Sequence, residues 1–439
     1  MKIWTGCLLV LAGFFSSAYT ADWPQFCGPD RNNVSAETGL ADRWPSSGPK
    51  VLWEVPVYNG YSGPAIRDGK AYLIDRNGEN SLLRCLNMED GSELWVCSFA
   101  DPGEMTGKKY EGTRGTPTIT ETHAYLVTGY GQLVCVDLTT HEVKWAKNLL
   151  TEFNNPLHQF GVAQSPFIHG GLVLVSPHAE AAGVVAFDKV TGETVWTSPR
   201  IGAHAYVSPL VTTLCGREMV IASGSKEKPE RGRNRGKDQE KPAAEARLGR
   251  LVGLSLEDGS ILWEYSGWQC DGAIPAPTPI AGDRLFITGG YDAGSAMIQL
   301  EKTDAGFAVK ELYKTEEVGA QLQQPIEVDG HLFIGSNSNN RKDGLACFSL
   351  DGKLKWRTKD IEGAPNFERG PFILADGKLI LLDGESGFLY LVKADPSDYK
   401  ELSSVKIVLE KDMAWAPLAL SNGKLLLRDW NTMKCIELK

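Results

Sequence analysis

The chain has 439 residues, with 45 Lys and Arg against 55 Asp and Glu, and so a net charge of −10. Its 42% apolar and 23% charged residues exclude a disordered or fibrous chain. The acidic balance argues against nucleic acid as a partner, because phosphate binding needs a basic face.

Residues 1–20 read as a secretory signal peptide: Lys2 is a basic start, Leu8 to Phe15 are apolar, and Ser16-Ser17-Ala18 or Ala18-Tyr19-Thr20 offers a cleavage site. The apolar run is shorter than the ~20 residues a membrane span requires, so stable insertion is not expected. Cys7 precedes the run, which disfavours lipoprotein cleavage. The mature chain is expected in the periplasm or outside the cell, as a monomer. Residues 21–50 are expected to lie across one face of the domain that follows.

That domain, 51–439, is repetitive. A hairpin phrase ending in Trp occurs at 83–95 (LRCLNMEDGSELW), 133–145, 184–196, 251–263 and 345–356, with degenerate copies at 297–313 and 389–402. Apolar stretches flanking a Gly, Asp or Pro turn signal a hairpin. A second phrase precedes each hairpin, in which a proline opens an apolar strand, a turn follows, and a further apolar strand comes next. Its prolines are Pro64, Pro117, Pro166, Pro209, Pro279, Pro325, Pro371 and Pro417, spaced by 43 to 53 residues except for 70 between Pro209 and Pro279. The long interval holds a charged insertion, 226–250, expected to be a disordered loop. Four short strands per ~45 residues match a β-propeller blade. Val51–Val55 is an orphan strand before the first repeat, and only three strands follow Pro417. Pairing the two ends makes an all-β, eight-bladed propeller of four-stranded antiparallel blades with no open edge.

Cys85, Cys135, Cys347 and Cys435 share one register of the repeat, where other copies carry Ala186 and Gly253. That register wants a small buried side chain, so thiols are expected rather than bridges, with Cys85 and Cys97 the pair closest to an exception.

The Asp-x-x-(Thr/Asp)-Gly-x-x-x-Trp hairpins resemble the tryptophan-docking repeats of pyrroloquinoline quinone (PQQ)-like propellers. The opening DWPQFCGPDRNNVSAETGL, followed by WPSSGPKVLW, is similar to the start of secreted bacterial PQQ-like domain proteins. The eight-blade form resembles the BamB family of outer-membrane assembly factors. The resemblance implies that Trp53, Trp95, Trp145, Trp196, Trp263 and Trp356 are structural rings packed between blades. Asn87, Asp137 and Asp188 are expected to tie up turn amides.

The enzymes of this group resemble a defined recipe: PQQ, a calcium or lanthanide ion held by carboxylate and amide oxygens, an Asp base and often a Cys-Cys pair. This sequence has no Cys-Cys pair and no Cys-x-x-Cys-His for haem. Its seven His are scattered without ligand spacing, and no hydrolase elbow or phosphate loop is present. No metal, cofactor or catalytic residue is expected, with PQQ and Ca²⁺ retained as the alternative.

The residues just before the prolines should ring one mouth of the central channel. They are Tyr61, Arg114, Gln164, Tyr206, Asp271, Gln323, Glu368, Arg369 and Trp415, with His204 beside Tyr206. They differ from blade to blade, and Tyr, Trp and Arg are enriched at binding hot spots. A water-filled funnel whose polar ring merely solvates strand ends is the plainer reading of the same residues. The primary functional reading is a binding scaffold for a protein or peptide. A PQQ- and Ca-dependent oxidoreductase is the second, and a carbohydrate binder stacking sugars on Tyr61, Tyr206 and Trp415 the third.

Overall fold

The computed structural model describes residues 22–105, 111–226, 249–337, 342–407 and 414–439. The signal-peptide reading of 1–20 lies outside the described residues, as does the insertion between 227 and 248.

Local chemistry starts each blade. In blade 1, Ala65–Arg67 returns as Lys70–Asn77 through Asp68-Gly69, whose φ angles are 49° and 69°. A two-residue hairpin that matches sheet twist needs positive φ at both positions, which Asp-Gly tolerates. Asp329-Gly330, Asp376-Gly377 and Asn422-Gly423 repeat the device in blades 6, 7 and 8. The strand then continues through Asn80–Asn87 to Glu93–Ala100, and a bulge at Cys85/Leu86 sets Trp95 opposite Cys85.

Eight antiparallel four-stranded sheets result, and in blade 7 Val34–Ser35 adds a fifth, parallel strand to Phe372–Ala375. Blade 8 is assembled from both ends of the chain: Ala419–Ser421, Lys424–Arg428 and Thr432–Glu437 are joined by Val51–Pro56, with Trp53 opposite Cys435. The core is a set of apolar wedges between blades. One joins Leu83 and Cys85 of blade 1 to Leu126 and Val134 of blade 2, and another joins Ala186 of blade 3 to Val252 of blade 4.

Docking tryptophans seal these wedges. The indole N–H of Trp53 donates to Met88 O (3.0 Å), that of Trp196 to Leu256 O (2.9 Å) and that of Trp356 to Asp395 O (3.1 Å), each on the next blade. Gly91 and Gly259 lie beneath Trp53 and Trp196, where a Cβ would come within 2.8 and 2.5 Å of the ring. Trp145 docks alike on Lys189 O, while Trp95 stacks on His141 at 4.4 Å. Trp263 departs from the pattern: its N–H faces Met219 Sδ of its own blade at 3.0 Å, because Gly253 opposite it leaves room for the ring to fold back. Tyr313 takes the docking position in blade 5 and Ser403 in blade 7. Asn87, Asp137 and Asp188 each accept amides of their turns. All eight cysteines among the described residues are free thiols, Cys85 and Cys97 included.

The closing seam adds charge. Arg428 is fully buried and donates from Nη2 to Tyr58 O (2.7 Å) across to the chain entering blade 1. Asp75, also fully buried, accepts from Tyr58 N (3.0 Å) and pairs with Arg84 (3.1 Å). This seam has no covalent connection in the inner three strands, so it needs this extra polar tie.

Candidate functional site

The strands that begin just after the prolines are innermost, and their starts are linked around the axis. Thr116 N donates to Ser165 Oγ, and Ser165 N to Ser208 Oγ, both at 2.9 Å, so hydroxyls clasp blades 2, 3 and 4. Residues 23–33 bond to the inner strands, or their first residues, in five blades. Trp23, 1% exposed, pairs with Ile66 in the middle of blade 1's inner strand, and Ile119 N of blade 2 bonds Pro24 O. Arg31 crosses to blades 3 and 4, donating to Pro166 O and Pro209 O with its guanidinium 4.5 Å over Phe167. The segment then runs along blade 7, where Leu374 N bonds Asn33 O, and leaves past blade 8.

At the proline end of the channel lies a cup of about 280 Å³, with Phe26 of this segment among its lining residues. Its walls include Tyr61, Arg114, Tyr206, Gln323, Arg369 and Trp415, six of the residues expected at the mouth. Four rings and cations form one continuous stack along the wall. The Arg114 guanidinium lies 5.5 Å from the Tyr61 ring, Tyr61 stacks on Trp415 at 5.5 Å and 15°, and Arg369 covers Trp415 at 4.8 Å. Burial lowers the Arg114 pKa. Burial likewise pushes the Tyr206 hydroxyl up to about 12, which keeps it a neutral donor.

Gln164, His204, Asp271 and Glu368 are not among the residues lining this cup. Gln164 is a clamp: its amide bonds Ser176 O (2.8 Å) and Ser176 N (2.6 Å) within its own blade. Glu368 is buried and spent on Arg369, while Asp271 is exposed. His204 belongs to a cluster: it stacks on His158 at 3.6 Å and meets His178 edge-on at 6.1 Å. Burial lowers all three, His178 to about 4, so the cluster is neutral at pH 7. Histidines scattered along the chain thus meet in space, yet no group of three His, Cys, Asp or Glu among the described residues is arranged for a metal.

The sequence reading missed Phe26, Phe160, Tyr291 and Gln321. Phe160 and Gln321 lie in the same pre-proline loops, a few residues further upstream than the window taken. Tyr291 comes from the turn between strands 284–289 and 294–303 of blade 5, and Phe26 from the N-terminal segment. No periodic signal points to either of these two.

A profile of the family described as outer membrane protein assembly factor BamB matches residues 79–340, more than half of the chain. The chain belongs to this family. BamB of Escherichia coli (strain K12) is 28% identical over 110 residues, which cover 24% of this chain and 27% of that protein. BamB of Shigella dysenteriae serotype 1 (strain Sd197) matches to the same extent. The chain thus spans about a quarter of the length of these curated relatives. Among solved structures, BamB from Moraxella catarrhalis aligns over 89% of this chain and 98% of its own, at 15% identity and a TM-score of 0.57. Quinohemoprotein alcohol dehydrogenase ADHIIG from Pseudomonas putida HK5 aligns over 95% and 80%, at 11% identity and 0.63. A europium-containing methanol dehydrogenase aligns over 93% and 89%, at 12% identity and 0.64. At such identities the solved structures establish the fold. An assembly factor and alcohol dehydrogenases share it, so the fold does not choose between binding and oxidation.

The residues of the cup narrow that choice. Ca²⁺ takes six to eight oxygens, usually with carboxylates among them. No Asp or Glu is among the described residues lining the cup, and two guanidinium groups are. That donor set does not suit a calcium or lanthanide ion. Trp415 already has two ring contacts within the wall, Tyr61 and Arg369.

Proposed function

We propose that this protein is a non-catalytic binding propeller, acting in the periplasm or outside the cell, that takes part of a polypeptide partner into the cup. The observation that carries this reading is the composition of the cup. Aromatic rings, two arginines and side-chain amides line it, whereas no Asp, Glu, His, Cys or Lys is among its described lining residues. A lining serine such as Ser165 or Ser208 needs an adjacent base to act as a nucleophile, and no His or carboxylate is among the described lining residues to supply one. The residue types present are those that anchor protein interfaces. The BamB relatives are named as assembly factors, which agrees with a partner that is itself a protein.

The test is selection from two random peptide libraries, one displayed internally and one with free C-termini, on the full chain. A Tyr206→Ala/Trp415→Ala variant serves as counter-selection. Sequences enriched on the native cup and lost on the variant are expected. No enrichment from either library would overturn the reading, as would dye-linked alcohol oxidation after addition of PQQ and Ca²⁺.

A further inference from the structure

We propose that a stacked pair of histidines latches the wall of the cup and that acid releases it: protonation of His158 and His204 parts the two loops that carry Phe160 and Tyr206. The latch belongs to the wall itself, so it stands whatever occupies the cup.

Two neighbouring mouth loops carry the latch. One leads into blade 3 and holds His158 and Phe160; the other leads into blade 4 and holds His204 and Tyr206. They meet twice, in step. The imidazoles of His158 and His204 stack at 3.6 Å and 18°, and two residues further along each loop Phe160 and Tyr206 meet at 6.2 Å. The second contact belongs to the cup, since Phe160 and Tyr206 both line it. His204 also packs edge-on against Tyr206 at 4.8 Å, which ties one contact to the other.

The surroundings leave an added proton uncompensated. Neither ring nitrogen of His204 has a hydrogen-bond partner among the described residues. The charges that act on the cluster are its own: those of His158 and His178 on His204, and that of His158 on His178, which also faces a backbone group of Val207. Tyr206 in turn feels Arg114 and Tyr291. Glu180, two residues from His178, is paired with Arg200, four residues from His204. Lys226 and Asp271 sit on the chain packed behind Tyr206, through Lys226 N to Cys270 O and Tyr206 N to Ala273 O, both 2.8 Å. No carboxylate is among the groups that act on the three rings. Two imidazolium ions in stacking contact therefore repel with nothing between them to offset it. Burial keeps the rings neutral while the wall is closed. Parting the loops returns a ring to water and to an ordinary pKa of 6.5, so opening takes up protons and gains as the pH falls below 6.5. For one ring so released, the open population rises about 30-fold between pH 7.5 and 5.

The experiment is amide hydrogen exchange of the full chain, read by mass spectrometry between pH 7.5 and 5 with labelling times scaled to the intrinsic rate. The reporting amides are Gly161, bonded to His158 O, Val162, bonded to Gly129 O, and Tyr206, bonded to Ala273 O. The reference amides are Leu374 and Gly384 of blade 7, whose strands contain no histidine. Protection of the reporters is expected to fall by at least about 30-fold more than that of the references as the pH drops from 7.5 to 5. A His158→Gln/His204→Gln variant should abolish that excess, whereas His178→Gln, which leaves the stacked pair in place, should keep it. Should the double variant fail to fold, reporters against references on the native chain still decide. Equal falls at the two sets of amides, or an undiminished excess in the double variant, overturns the inference.

Discussion

At the seams between blades one indole contact recurs, whereas the aromatic and charged groups of the cup wall differ from blade to blade. Trp53, Trp196 and Trp356 each donate to a carbonyl on the following blade, and a glycine lies flat beneath Trp53 and Trp196. The cup, built from the same blades, takes a tyrosine from one, an arginine from the next and a glutamine from another. Repetition is what a closed ring requires of its seams, because every blade must turn the chain by the same angle. A ligand makes no such demand, so the inward loops diverge where the scaffold is already rigid.

The sharpest way to break this contrast is at the one seam where the repeat is not enough. Arg428→Ala removes a fully buried cation that acts on Asp75 and its bond to Tyr58 O, leaving Asp75 with Arg84 and the amides of Tyr58 and Arg76. A loss of about 3–5 kcal/mol, the range for breaking a buried charged contact, is expected, read as a fall in the urea midpoint. An unchanged midpoint would show that strand pairing alone closes the ring. Trp196→Ala removes a buried ring and its bond to Leu256 O, and about 3–4 kcal/mol should go with it. Peptide binding in that variant should persist while it remains folded.

Acid separates the two regions by another route. The His178 pKa is about 4 in the folded chain against an ordinary 6.5, so the unfolded chain binds the extra proton first. Its contribution is present above pH 6.5 and fades as the pH falls toward 4, on the order of 3 kcal/mol in all. The groups facing it, His158 and His204, are lowered in the same direction. His178→Gln should flatten the stability profile between pH 6.5 and 4, and an unchanged slope would remove His178 from the account. The smallest effect belongs to the cup lining. Phe26 is only half-buried, so Phe26→Ala should cost about 1 kcal/mol in the melt. It should also widen the range of peptides enriched on the cup. Identical selectivity would mean that Phe26 does not shape the cup.

Legibility followed the same division. The proline phrases and the Trp hairpins were visible because one physical task, forming a blade, recurs at a regular interval. Six mouth residues could be read from their place before a proline. Gln164 stood at an equivalent place and proved to be a clamp on Ser176, since position along the chain does not say where an amide points. The three clustered histidines looked unrelated because 46 positions separate His158 from His204.

By itself the sequence determined an eight-bladed ring, its closure by Val51–Pro56 and the thiol register. Each of these is local pairing repeated, and local pairing is written in turn residues and strand alternation. Only the tertiary structure decided that the channel holds a cup. Its lining runs from residue 26 to residue 417, and a cavity is a property of which distant surfaces face one another across the axis.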